Sequence, residues 1–196
     1  YHTLQFSTGA NNTAIGSRAL EGVSGLSPGG FNTAIGEQAL VANRAGINNI
    51  AIGYQSMSTC QNVDNCTAVG HQALQDNAAS NASAFGYQAL TNNDTGVNNS
   101  AFGYHSLIDN VSGFNNAAFG HVSLFKNQDG IHNTGFGSIV LYQNVSGSYN
   151  TSMGSDSSQN TTGDDNTAFG YRAGFSITGG DQNTFVGSNT NGVAGS

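Results

Sequence analysis

Apolar and polar positions recur along the chain in one repeated phrase, Asn-Thr-Ala-apolar-Gly. Its glycines are Gly16, Gly36, Gly53, Gly70, Gly86, Gly103, Gly120, Gly137, Gly154, Gly170 and Gly187, at steps of 20, 17, 17, 16, 17, 17, 17, 17, 16 and 17 residues. A large apolar residue precedes each one: Ile15, Ile35, Ile52, Val69, Phe85, Phe102, Phe119, Phe136, Met153, Phe169 and Val186. Four residues after the glycine comes a second apolar column of Leu20, Leu40, Met57, Leu74, Leu90, Leu107, Leu124 and Leu141, with small residues such as Ala19, Ala39 and Ser56 just before it. A polar turn follows, carrying Asn43, Asn77, Asn93, Asn110, Asn127 and Asn144, then Gly46, Gly96, Gly113, Gly130 and Gly147. Asn and Gly both tolerate the left-handed backbone of a tight corner.

A unit this short cannot bury a core by itself, and a helix pair needs about 33 to 47 residues per repeat. Stacked units of two short strands and two corners solve the problem. The pattern therefore predicts an all-β fold, a single parallel β-solenoid or β-roll of about eleven rungs of ~17 residues, roughly 50 Å long at ~4.8 Å per rung. Asn12, Asn32, Asn49, Asn99, Asn116, Asn133, Asn150, Asn166 and Asn183 are expected to form a structural ladder between rungs. Residues 1–10 read as an N-terminal extension in which Leu4 and Phe6 belong to an alternating strand able to dock on a neighbour. Residues 11–196 read as the solenoid, with rungs that degenerate after about 154, where Ser158, Gly174 and Asn191 replace the Leu column.

Side chains alternate along a strand. The Thr/Ser column (Thr13, Thr33, Thr67, Ser83), the Ile/Phe column and the following Tyr/His column thus share one face, and Asn, Ala and Gly the other. The preferred reading turns Ile and Phe into the core. The alternative exposes a stripe of Phe85, Phe102, Phe119 and Phe136 that would demand a partner chain.

Composition narrows the function classes. Only 4 of the 196 residues are Lys or Arg, too few for a phosphate-neutralising surface, so no nucleic acid is expected. The net charge of −7 comes from scattered carboxylates. No apolar run approaches ~18 residues, and no membrane insertion is expected. The chain opens at Tyr1, as a processed chain or a segment of a longer one would. Cys60 and Cys66 have five residues between them in CQNVDNC, a spacing that suits a local disulfide in an oxidising, extracellular setting.

Candidate chemistry is sparse. His71 and His121 share the column of Tyr54, Tyr87, Tyr104 and Tyr171, which reads as an aromatic ladder; three rungs apart, they stand roughly 14 Å from one another, too far to share a metal ion. Gly179-Gly180-Asp181 echoes a calcium-binding solenoid motif only once, and Asp164-Asp165 lies in a turn without a cleft. No catalytic residue, metal or cofactor is expected. Sequons mark Asn93, Asn110, Asn144, Asn11 and Asn160 as glycosylation candidates, the first three because they fall in turns; Asn65, Asn81 and Asn98, beside the Asn ladder, are expected to be crowded.

The strings NTAIGSRAL, NTAIGEQAL and NTAFGYRAG resemble the head repeats of trimeric autotransporter adhesins, and the wider pattern is similar to repeats of bacterial surface and phage tail-fibre-like proteins. The resemblance runs from about Asn11 to Gly187. It implies a left-handed parallel β-roll, three chains side by side, and attachment to a surface. The sequence thus predicts an extracellular structural protein, not an enzyme, at a cell or virion surface. It would be the subunit of a fibre or filament that associates with copies of itself, as homopolymer or homotrimer, and carries covalent glycans. A trimeric adhesin or phage-fibre head binding a surface ligand is the alternative. An ice-binding solenoid is a minor one, since Ile50, Ser83, Ser100 and Ala117 interrupt the Thr column.

Overall fold

The computed structural model describes residues 9–22 and 29–191. Leu4 and Phe6, the expected docking residues, lie outside them. Eleven three-residue strands form one parallel sheet, each pairing with the next rung in register. They are β1 (Thr13–Ile15), β2 (Thr33–Ile35), β3 (Ile50–Ile52), β4 (Thr67–Val69), β6 (Ser83–Phe85), β8 (Ser100–Phe102), β9 (Ala117–Phe119), β10 (Thr134–Phe136), β11 (Thr151–Met153), β12 (Thr167–Phe169) and β13 (Thr184–Val186). A two-stranded sheet pairs β5 (Asp76–Asn77) with β7 (Asn92–Asn93). The chain is an all-β solenoid, and its regular rungs persist beyond residue 154.

The second strand expected in every rung is absent from most of the described rungs. In its place runs a chain of turns in which non-glycine residues adopt left-handed backbone two and four positions after the corner, as at Gln38 (φ 58°) and Leu40 (φ 52°). Each such residue costs on the order of 1–2 kcal/mol. Rung-to-rung hydrogen bonds survive there nonetheless: Leu40 N–H donates to Ser56 O at 2.9 Å and Gln38 N–H to Ser17 O at 2.9 Å. The corner glycines are obligatory. Gly36 sits at φ 130°, and a Cβ there would lie 2.6 Å from Gly53 O in the next rung.

The core reverses the expected strand polarity. Ala34, Ala51, Ala68, Ala84, Ala101 and Ala118 are fully buried, as are Leu20, Leu40, Met57, Leu74, Leu90, Leu107, Leu124 and Leu141. The Ile/Phe column points outwards: Ile15 is 59 %, Phe136 53 % and Phe169 55 % exposed, and Ile35, Ile52, Val69, Phe85, Phe102 and Phe119 sit in the same outer column. The interior is too narrow for them. A Cβ added at Gly135 in the Ala column would already lie 3.6 Å from Leu124 Cδ1 across the core.

Two Asn ladders stitch the rungs. In the ladder before the strands, Asn133 Oδ1 accepts from Asn150 N–H at 2.9 Å while Asn133 Nδ2 donates to Gly147 O at 2.7 Å. In the turn ladder, Asn110 Nδ2 donates to Asn93 Oδ1 at 2.7 Å, Asn127 to Asn110 at 3.0 Å and Asn144 to Asn127 at 3.1 Å. Buried amides are tolerable only when satisfied in this way.

Candidate functional site

Two features of the surface stand out. The first is the outer strand face. Its two outward columns, the Thr/Ser positions and the Ile/Phe positions, contain no charged residue in any of the eleven strands. Phe85, Phe102, Phe119 and Phe136 stack with ring centroids 4.7, 4.8 and 5.6 Å apart. Around the glycine corner, Tyr54, His71, Tyr87, Tyr104 and His121 form a second stack at 5.0, 5.1, 5.3 and 5.3 Å. The rings repeat at the rung interval because the parallel register places like residues directly above one another. His105 lies against this stack, 3.9 Å from the Tyr104 ring, and its Nε2–H donates to Gln88 Oε1 at 2.8 Å. Burial, reinforced by the neighbouring His121, lowers its pKa, with Asp109 opposing.

The second feature is a hollow of about 400 Å3 lined by Thr59, Gln61, Asn62, Val63, Asp76, Asn77 and Ala78. It lies at the rung beginning at Gly70, which is one residue shorter than the rungs on either side. Thr59 Oγ1 donates to Gln75 O at 2.8 Å and to Asp76 Oδ1 at 3.0 Å along its edge.

The expected disulfide is corrected. Cys60 and Cys66 are both free, buried thiols. They replace the two Asn of one rung: Cys60 takes the turn-ladder position and Cys66 the strand-ladder position, where its N–H donates to Asn49 Oδ1 at 2.9 Å. Their sulfurs turn to carbonyls, Cys60 Sγ to Leu74 O at 3.3 Å and Cys66 Sγ to Ala79 O at 3.5 Å. Burial pushes both pKa values up.

The exposure of the glycosylation candidates departs from expectation at Asn93, Asn110 and Asn144. Asn93, Asn110 and Asn144 are fully buried ladder residues, because the turn folds its Asn inwards. Asn160 is half-buried and donates to Phe175 O at 3.0 Å. Asn11 is exposed, and so are Asn65, Asn81 and Asn98, which stand at left-handed positions with outward side chains (φ 57–61° for the four). The exposed sequon asparagines are the left-handed residues one position before the strand-ladder column, a feature the sequon alone does not encode.

Among the described residues no group of three or more His, Cys, Asp or Glu could hold a metal ion. Among the described residues no helix is long and apolar enough to cross a membrane. Comparison with protein-family models, with characterised proteins and with solved structures gives no match.

Proposed function

We propose that this chain is a structural rod of an extracellular fibre and that it associates side by side with copies of itself through the outer strand face. The observation that carries the reading is the outward, uncharged Ile/Phe ladder. A surface that repeats at every rung is matched along its whole length only by another surface of the same interval, and a second copy supplies one. The charged side chains lie outside the eleven-stranded sheet, Asp76 in β5 and the rest in turns and corners, so two such faces meet without stranding a charge. Ten rung intervals of ~4.8 Å and three-residue strands ~10 Å wide give about 500 Å2 of face per copy, to which the Tyr/His stack around the corner adds. The outward ladder favours lateral association over the end-to-end stacking also expected from the sequence. The resemblance to adhesin heads and tail fibres supports a surface location and a three-chain form.

Sedimentation equilibrium of the wild-type chain beside a Phe102→Asp/Phe119→Asp variant tests this. The expected result is a discrete oligomer for the wild type and a monomer with an unchanged circular dichroism spectrum for the variant. A wild-type monomer at roughly 100 µM, above the micromolar or tighter dissociation constants of specific protein interfaces, would overturn the reading, and so would an oligomer that ignores the double substitution.

A further inference from the structure

The ladder pattern breaks most severely at one place. In the turn from Cys60 to Cys66 both ladder Asn are Cys, and Val63 stands where the other turns carry Gly46, Gly96, Gly113, Gly130 and Gly147. The turn beneath, from Asn77, is one residue shorter and has Ala82 in place of the ladder Asn. A repeat protein that abandons its own consensus in two adjacent rungs does so where something other than stacking sets the sequence. The hollow of about 400 Å3 lies at this break.

The lining fixes the chemistry. Asp76 is the only charged residue among the seven that form the wall, and no Lys, Arg or His offsets it, so an anion is repelled. A single carboxylate falls short of the six to eight oxygens, roughly, that a hard cation gathers. An apolar ligand would press against the Asp76 carboxylate and the Asn62 amide without hydrogen-bonding to either. What remains is a neutral ligand with several hydroxyl groups. Asp76 accepts from hydroxyls, and the Gln61 and Asn62 side-chain amides, which hydrogen-bond to no described residue, can both donate and accept. The volume lies at the small end of the roughly 300–1,000 Å3 of ligand pockets.

We infer that the hollow between the Cys60–Cys66 turn and the shortened turn at Asn77 is a binding site for a neutral, polyhydroxylated ligand of monosaccharide size. It lies in the turns, away from the strand face, and stands or falls independently of self-association.

The test is an amide-resolved NMR titration of the full chain with D-glucose, D-galactose, D-mannose and N-acetyl-D-glucosamine, with calcium chloride as a separate arm. At least one sugar is expected to give saturable shifts at Gln61, Asn62 and Asp76. Asp76→Asn should weaken the binding at least fivefold. Inserting a glycine between Ala78 and Ala79, which restores the 17-residue rung and fills the hollow, should abolish it. Gln61→Ala, an exposed change that leaves the ladders intact, gives a second reading should the insertion disturb the fold, with weakening again expected. The absence of any saturable sugar shift, shifts at these residues with calcium alone, or binding unchanged in the variants would each overturn the assignment.

Discussion

Val140 occupies the space that Gly135 leaves free. Gly135 stands in the Ala column and Val140 in the small-residue column of the same rung, and a Cβ built on Gly135 would lie 3.3 Å from Val140 Cγ1 and 2.7 Å from Ser123 Oγ. Other rungs trade volume similarly. Ser152 and Ser157 share a 2.6 Å hydrogen bond where Ala and Ala or Ser usually face each other. Phe185, again in the Ala column, reaches over Gly174 in the Leu column, so close that a Cβ on Gly174 would be 3.0 Å from Phe185 Cδ2.

This pairing makes a double-mutant prediction. Gly135→Ala alone should overpack the rung and destabilise by about 1–3 kcal/mol. Val140→Ser alone should leave a void and cost about 1–3 kcal/mol. Together they recreate the ordinary Ala/Ser rung, so the double variant should lose markedly less than the sum, with a coupling of about 1 kcal/mol or more. Urea denaturation of the four proteins measures it, and strict additivity would refute the volume trade.

Asn144 Oδ1 ends the turn ladder as a buried acceptor without a hydrogen-bond partner. The next position in its column is Thr161, which has no amide to offer it. Thr161 sits in a shortened turn, but so does Asn77, whose Oδ1 accepts from Asn93 Nδ2 at 2.5 Å and whose Nδ2 donates one hydrogen to Ala79 O at 2.7 Å, leaving the other for the preceding rung. Thr161→Asn should therefore extend the ladder by one amide and stabilise the chain by about 1 kcal/mol. An unchanged or lowered denaturation midpoint would show that Asn144 Oδ1 is satisfied otherwise.

Asn133 tests the other ladder. Its amide nitrogen donates to Gly147 O while its oxygen accepts from Asn150. Asn133→Asp keeps the acceptor but turns a carboxylate oxygen towards the Gly147 carbonyl. At neutral pH this should cost about 2–4 kcal/mol. The carboxyl should be held above its ordinary pKa, because only its protonated form can donate to Gly147 O. Relative to the wild type, stability is then lost at high pH and recovered as pH falls through the raised value. Denaturation from pH 7 to pH 4 checks the sign, and a gap to wild type that does not narrow would contradict the ladder geometry.

How much of this architecture could be read from the sequence follows from what repeats. The period, the corner glycines and the Asn ladders are legible because each rests on one residue type that a backbone position requires, as at Gly36. Strand polarity is not legible from alternation alone, since a three-residue strand such as Thr33–Ile35 offers one inward and two outward side chains or the reverse. Interior width decides it, and that width depends on Leu40 and its column reaching across from a left-handed position that Leu rarely adopts. One signal was available: Gly135, Ser152 and Phe185 vary in step with Val140, Ser157 and Gly174, as facing core residues do. The hollow was not legible, since the step of 16 between Gly70 and Gly86 recurs between Gly154 and Gly170 and a missing residue does not give the space it leaves.

The two thiols set the alkaline limit of the fold. Cys60 and Cys66 are buried and their pKa values are raised chiefly by that burial, with backbone hydrogen bonds opposing. In the unfolded chain a thiol loses its proton above about pH 8.5. The folded chain keeps it, so the unfolded state binds fewer protons there and stability falls as pH rises. Below pH 8.5, approximately, the contribution is complete; above it, each thiol that stays protonated in the fold removes up to about 1.4 kcal/mol per pH unit. Denaturation at pH 7, 9 and 10 should show this slope in the wild type and lose it in Cys60→Ala/Cys66→Ala, which is less stable at pH 7 but flatter with pH. Ellman's reagent provides an independent reading at pH 8. Native protein should react slowly, and denatured protein should release two equivalents of thiol without prior reduction. Fewer than two equivalents would mean that the sulfurs are joined, and the thiol ladder positions described here would not hold.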